Sequence, residues 1–305
     1  MKILFMGTPD FAASSLSALY EMEEVEIVGV FTQPDKPVGR KQILEKPPVK
    51  LLAEEHGTPV FQPRKLRDGT ALGIVRELDP ELIAVVAYGR LIPDDILNYP
   101  KYGTINIHGS LLPKYRGAAP IQWSVINGEK ETGVTAMYLA TEMDAGDIIA
   151  MKKTEILEGE TSGALFIRLA ELGAELLRET VRSIENGTAQ RTPQDHALAT
   201  YAPPLTKELA EIDWNKEGRL ILSHIRGMDP WPIATAEFAG VKFKVFDAVT
   251  APGKSGAEAG SIVSADKRGI GVACADGIVT ITELQAPGGK RMKAADYLRG
   301  HPICP

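Results

Sequence analysis

Cysteine is nearly absent: the 305 residues hold only Cys274 and Cys304, far apart and without the spacing of metal ligands. That excludes a disulfide framework and leaves no support for a zinc site, so a reducing compartment and no metal are expected. Long apolar runs are missing as well. Stretches such as LIAVVA at 82 to 87 are too short to cross a bilayer, and the N-terminal residues lack a basic segment followed by an apolar core. A cytoplasmic protein that engages no membrane is expected. Nor is there an excess of basic charge. With 34 Lys/Arg against 40 Asp/Glu the net charge is −6, which argues against a general nucleic-acid binder and leaves no DNA partner expected.

Several catalytic motifs are also missing. The sequence contains no GxSxG, no HExxH and no GxxxxGK[ST], which disfavours a covalent serine mechanism and removes the metalloprotease and P-loop readings at the motif level. GTPDF, after the first apolar run, supplies one glycine where the dinucleotide fingerprint needs three, so a Rossmann dehydrogenase is not expected. Gly7 and Pro9 either shape a turn into a helix or open that helix N-terminus to an anion.

What is present is the composition of a folded protein, 44% hydrophobic and 24% charged, in a chain long enough for two domains. KILFMG, VEIVGVF, LIAVVA and TINIHG are short apolar runs separated by helical spacing, around 48 to 56 and 70 to 78 for example. This βαβ alternation implies a parallel sheet with helices on its faces. Two further strands, TGVTAMYL and DIIAMKKTEI, and an amphipathic helix from about Ser162 to Glu185 close a unit spanning 1–185. Residues 186–206 have no sustained period and contain Pro193, Pro203 and Pro204, which suits an extended linker. Across 207–305 the pattern becomes five short strands divided by Gly or Asp turns, with helices near the two ends, as in a small antiparallel barrel of the oligonucleotide-binding type. The fold class expected is therefore α/β: a Rossmann-like parallel-sheet domain followed by an OB-like antiparallel β-barrel.

Charge is unevenly placed. Residues 207–305 carry 13 Lys/Arg against 12 Asp/Glu, leaving 21 against 28 on residues 1–206. Within the acidic part, residues 34 to 50 gather Lys36, Arg40, Lys41, Lys46 and Lys50 against Asp35 and Glu45. Such a run is either a solvated loop or a local patch for an RNA partner.

The chemistry concentrates in TINIHGSLLPKYRGAAP at 104 to 120. Asn106 and His108 are two apart on a strand, so both side chains project to one face near its carboxyl end, where ligands of open α/β sheets collect. TEMDAGD at 141 to 147 adds Asp144 in a loop; a carboxylate there can orient an imidazole and favour its charged form. Taken singly, each has a plainer reading: a structural histidine, an amide that satisfies backbone, an aspartate in a turn. Their joint appearance points to a reaction centre.

NIHGSLLPKYRGAAPIQW followed by TGVTAMYLATEMDAGD resembles the signature region of the folate-dependent formyltransferases. The resemblance implies Asn106, His108 and Asp144 as the catalytic set, contact of Ser110, Leu111, Leu112 and Pro113 with folate, and 10-formyltetrahydrofolate as formyl donor without a metal. MGTPDFA, FTQPDKPVGRKQILEKPPVK, ATYAPPLTKELAEIDW, DPWPIA and LQAPGGKRM are similar to segments of the methionyl-tRNA formyltransferase family. That similarity implies initiator methionyl-tRNA as partner, with Arg40 and Lys41 on the first domain and Lys242, Lys244, Lys290 and Arg291 on the second as tRNA contacts. The chain departs from the family pattern at Lys41, Gln42 and Gly109. A monomer is expected. The alternatives are a formyltransferase acting on a small amine such as a nucleotide sugar, and a tRNA-binding module without catalysis.

Overall fold

The computed structural model describes residues 1–39, 42–253 and 256–303. In chain order the elements are β1 (Lys2–Gly7), α1 (Asp10–Tyr20), β2 (Glu26–Phe31), β3 (Lys36–Val38), β4 (Ile43–Glu45), α2 (Pro48–Glu55), β5 (Val60–Phe61) and α3 (Thr70–Leu78). Next come β6 (Leu82–Val86), α4 (Asp94–Leu97), β7 (Thr104–His108), β8 (Arg116–Gly117), α5 (Pro120–Ile126), β9 (Glu131–Tyr138), β10 (Ile148–Glu155) and α6 (Ser162–Glu185). The chain ends with β11 (Tyr201–Ala202), α7 (Gly218–Gly227), β12 (Ala234–Phe238), β13 (Val241–Pro252), β14 (Ile262–Asp266), β15 (Gly269–Cys274), β16 (Gly277–Gln285), β17 (Met292–Lys293) and α8 (Ala294–Gly300).

Contacts divide the chain into two compact units, the first made of 1–117, 132–155 and 166–201, the second of 118–131, 156–165 and 202–305. The first is built on a seven-stranded sheet in the order β10-β9-β7-β6-β1-β2-β5. β1 pairs in parallel with both β2 and β6, and β6 in parallel with β7. β1 and β6 are apolar and buried along their length except at Lys2, as expected of strands covered on both faces. Leu4, Met6, Phe31, Ile83 and Val85 form one core with Ala71 and Val75 of α3. Because β2 leaves β1 on one side and β6 flanks it on the other, the strand order reverses there. A crevice opens at the carboxyl ends at such a reversal.

β9 runs antiparallel to β7, so the sheet is mixed at that edge. The segment after β2 also differs from a plain basic loop: β3 and β4 form a two-stranded hairpin that pairs with no other strand among the described residues. Strands of three residues are too short to show a period, which is why sequence patterning misses them.

In the second unit the five expected strands form one antiparallel sheet in the order β12-β13-β16-β15-β14, with β17 added on β16. β13 is 12 residues long, and its pairing with β16 slips between Val245 and Ala248. A slip of this kind bends a strand, which lets β13 serve β12 with one end and β16 with the other. Phe243, Val245, Val272, Val279, Ile281 and Leu284 pack beneath it against Ile221 and Ile225 of α7. α5 belongs to this unit, close enough to α7 that a Cβ on Gly227 would lie 2.3 Å from Cγ1 of Ile126. No described helix is long and apolar enough to cross a membrane.

Candidate active site

β7 sits between β6 and β9 with all five residues buried. Ile105 and Ile107 occupy one face, which leaves Asn106 and His108 together on the other, near the strand's carboxyl end. His108 opposes Thr135 and Asn106 opposes Met137 on β9.

The loop that follows is fixed by its own polar groups. Ser110 Oγ donates to the Lys114 carbonyl at 2.6 Å, Thr135 Oγ1 donates to the Ser110 carbonyl at 2.6 Å, and the Leu112 amide donates to Thr135 Oγ1 at 3.1 Å. Ser110 and Leu112 are thereby buried, backbone included, at 0% and 3% exposure. Leu111 and Pro113 keep half-buried side chains. At the end of the loop Tyr115 turns with a positive φ of 62° and places its carbonyl 2.8 Å from His108 Nε2. A carbonyl only accepts, so the network assigns the proton to Nε2 and leaves Nδ1 as the exchangeable nitrogen.

Asp144 faces that nitrogen. Its Oδ2 lies 3.7 Å from His108 Nδ1 and accepts the Gly117 amide at 2.8 Å. The Asp144 turn returns tightly onto β9, since a Cβ on Gly146 would fall 1.9 Å from the Tyr138 carbonyl. The turn is held from below by a residue that sequence patterning assigns only to a linker. Gln194 donates both amide hydrogens, to the carbonyls of Asp144 at 2.9 Å and Gly146 at 2.8 Å. Its Oε1 accepts from Arg116 Nη2 at 2.7 Å and Nε at 3.2 Å, and the same guanidinium lies 3.4 Å from His196 Nδ1. Thr200 adds a further tie, accepting the Arg116 amide at 2.8 Å. Residues 192–200, which include a single 3-10 turn at His196–Leu198, are thus docked along the site loops.

The Asn106 side chain makes no hydrogen bond to any described residue, although the residue is only 9% exposed, and its amide is not among the side-chain groups sealed from solvent without a partner. An amide held on a rigid strand with its donors free is suited to a ligand oxygen. Tyr88, next to the end of β6, is a different matter. Burial pushes its phenol up to about 12, the nearby Arg90 charge only partly opposing this, so it stays protonated at neutral pH and cannot serve as a base there. A separate concavity of about 510 Å³, lined by Lys65, Leu66, Arg67, Asp68, Arg90 and Leu91, lies beyond the same strand and includes none of Asn106, His108 and Asp144. Among the described residues no group of three His, Cys, Asp or Glu side chains could hold a metal ion.

The candidate nucleic-acid contacts are spread. Arg40 and Lys41 lie outside the described residues. Lys242 and Lys244 are exposed on β13, Lys242 Nζ being 3.9 Å from Glu211, and Lys290 is exposed before β17. The Arg291 guanidinium pairs with Glu283 and lies 4.4 Å from the centre of the Phe246 ring, so part of its binding capacity is already engaged.

A strand-borne Asn-x-His pair at the carboxyl edge of a mixed sheet, faced by an aspartate turn, is the arrangement of an enzyme. Residues 1–181 match the formyl transferase family model and residues 204–302 the model of the formyl transferase C-terminal domain. The chain belongs to the formyltransferase family. The relatives it matches along almost their whole length are methionyl-tRNA formyltransferases: that of Staphylococcus epidermidis is 46% identical over 98% of this chain and 96% of its own. That of Pelotomaculum thermopropionicum is 47% identical over 99% and 96%. Among solved structures, an N-formyltransferase from Helicobacter canadensis in complex with folinic acid and dTDP-3-aminofucose superimposes with a TM-score of 0.70 at 18% identity, over 96% of this chain and all of the other. HypX from Aquifex aeolicus in complex with tetrahydrofolic acid gives 0.61 at 20% identity, over 98% of this chain and 47% of the other. At such identities these two establish the shared fold alone.

Gln194→Leu is expected to free the Asp144 turn and take from the buried Arg116 its two bonds to Gln194, leaving only the longer contact to His196. Unfolding in urea should show a loss of about 2–3 kcal/mol, because a buried charged donor loses its two shortest bonds. Formyl transfer should fall along with it, and an unchanged melting curve would show that Gln194 does not hold the turn.

Proposed function

We propose that the protein transfers the formyl group of 10-formyltetrahydrofolate to the α-amino group of methionyl initiator tRNA, for translation initiation in the cytoplasm. The observation that carries this reading is the unpartnered Asn106 amide next to His108, whose Nδ1 faces Asp144. On this reading residues 1–185 form the catalytic domain, 186–206 the linker and 207–305 a tRNA-binding domain, and the enzyme acts as a monomer without a metal.

In the proposed reaction the methionyl amine attacks the formyl carbon as a free base, and negative charge develops on the formyl oxygen. Asn106 Nδ2 donates to that oxygen. His108 has committed Nε2–H to the Tyr115 carbonyl, so its Nδ1 takes and returns the proton. Asp144 Oδ2 is fixed by the Gly117 amide, which keeps the carboxylate turned toward Nδ1 and stabilises the imidazolium. The 3.7 Å gap between them is wider than a direct hydrogen bond, a separation that one water or closure around substrate bridges. The amine proton passes by this route toward the folate nitrogen that leaves. Leu111 and Pro113, half-buried on the adjoining loop, offer apolar contact to the donor, and the buried Ser110 and Leu112 meet it once the loop shifts around the donor. Lys242, Lys244, Lys290 and Arg291, together with Arg40 and Lys41, are proposed as tRNA contacts.

The experiment is transfer of labelled formyl from 10-formyltetrahydrofolate to charged initiator methionyl-tRNA, with charged elongator methionyl-tRNA as control. Transfer to the initiator alone is expected. Consumption of the donor without transfer to either tRNA would move the assignment to a small-amine formyltransferase or a hydrolase.

A further inference from the structure

The β3–β4 hairpin stands apart from the sheet, and Ile43 and Leu44 on it are exposed by 61% and 67%. Its orientation must therefore be set at its two ends. Asp35 immediately precedes β3 and Lys46 immediately follows β4. Both flanks are held by the same helix. Lys50 Nζ of α2 lies 2.9 Å from each carboxylate oxygen of Asp35, and Glu54 Oε2 of α2 lies 2.7 Å from Lys46 Nζ. Lys50 and Glu54 are four residues apart, which puts them on one face of the helix. The signs are crossed: an acid before the hairpin meets a base on the helix, and a base after it meets an acid.

The Asp35 end is the better built of the two. Lys50 spends its third hydrogen on Gln62 Oε1 at 2.9 Å, and Gln62 Nε2 donates to Asp35 Oδ1 at 2.7 Å and to the Gln33 carbonyl at 2.8 Å. The Gln62 amide and the Lys50 ammonium hold the Asp35 carboxyl below the usual carboxylate range. From Gln33 the chain of bonds continues inward, Arg90 Nε donating to Gln33 Oε1 at 3.0 Å and Gln33 Nε2 to the Tyr88 carbonyl at 3.0 Å. The hairpin base is thereby tied to the turn that follows β6, at the crevice where the sheet order reverses.

We propose that Asp35–Lys50 and Lys46–Glu54 form a two-point clamp by which α2 fixes the direction of the β3–β4 hairpin, making these four residues positioning residues for the acceptor tRNA. The assignment of the acceptor rests on the function proposed above. The clamp itself rests on the four side chains alone. Because no member touches the reacting atoms, weakening the clamp changes how the acceptor is met and not the rate of the chemical step.

Two variants test this, Lys50→Met, which keeps the aliphatic stem and removes all three bonds, and Glu54→Gln at the more exposed end. Each is expected to raise KM for methionyl-tRNA, Lys50→Met by about tenfold as expected for a misplaced binding element, with kcat and the KM for 10-formyltetrahydrofolate unchanged. Lys50→Arg should restore most of the loss. A purely structural role would lower kcat through loss of active protein and leave KM alone, and that outcome overturns the clamp. A second readout needs no substrate: the distance distribution between nitroxide labels at L44C and E77C, with Cys274 and Cys304 replaced by serine. It should broaden in Lys50→Met, and a distribution as narrow as that of the parent would overturn the clamp. If the unmodified protein does not formylate methionyl-tRNA, the functional reading fails while the label distances still decide the clamp.

Discussion

Asn106→Ala is expected to lower kcat for formyl transfer by about 10²–10³-fold, the usual loss when one donor to a developing oxyanion is removed. In the proposed role the substitution acts on the transition state alone. The Asn106 side-chain amide makes no hydrogen bond to any described residue, so its removal breaks no native side-chain contact, and β7 is held by its backbone ladders to β6 and β9. Melting temperature and the KM for both substrates should change little. Steady-state kinetics with labelled donor separates these quantities. A variant that keeps near-normal turnover would remove Asn106 from the catalytic set.

Asp144→Ala should be nearly as damaging to turnover, by about 10²-fold for lost support of proton transfer, but with a different signature. Asp144 has a second duty, since its Oδ2 accepts the Gly117 amide at 2.8 Å. Its backbone is also left-handed, with φ of 50°, a conformation that Asn tolerates and Ala resists. Asp144→Ala is therefore expected to lose stability as well as activity. Asp144→Asn should retain the turn and the Gly117 contact while losing the negative charge facing His108. If both variants lose turnover and only Ala loses stability, the charge is what the reaction uses. Equal activity of Asn and the parent would reduce Asp144 to a turn residue.

Much of this was legible in the sequence, for physical reasons. The buried strands around Leu4 and Ile83 read as uninterrupted apolar runs because both faces are covered, and Asn106 and His108 stood out because polar residues interrupt such a run. The five strands of the second unit were marked by their turns. What escaped notice depends on long-range geometry. Gln194 sits in a segment with no period, and nothing local signals that its amide closes two carbonyls of a turn 48 and 50 residues earlier. Nothing around Arg116 in the sequence signals its burial, yet it is buried and turned toward Gln194 and His196. The Ser110 carbonyl likewise finds its donor in Thr135, a residue on a neighbouring strand. Proline at 193 was the visible feature of that stretch, and it pointed to an extended chain without showing what the chain lies against.

The docking of residues 192–200 along the loops of the first unit bears on how such a protein can be cut and recombined. The long helix α6 ends at Glu185 and has the look of a module boundary. Yet a fragment ended there would leave the carbonyls of Asp144 and Gly146 without donors and the Arg116 guanidinium without acceptors. A junction that keeps the Asp144 turn intact therefore falls beyond Tyr201 and not at the end of α6, and because α5 belongs to the second unit, an exchanged C-terminal half must also match the α5 face that it packs against.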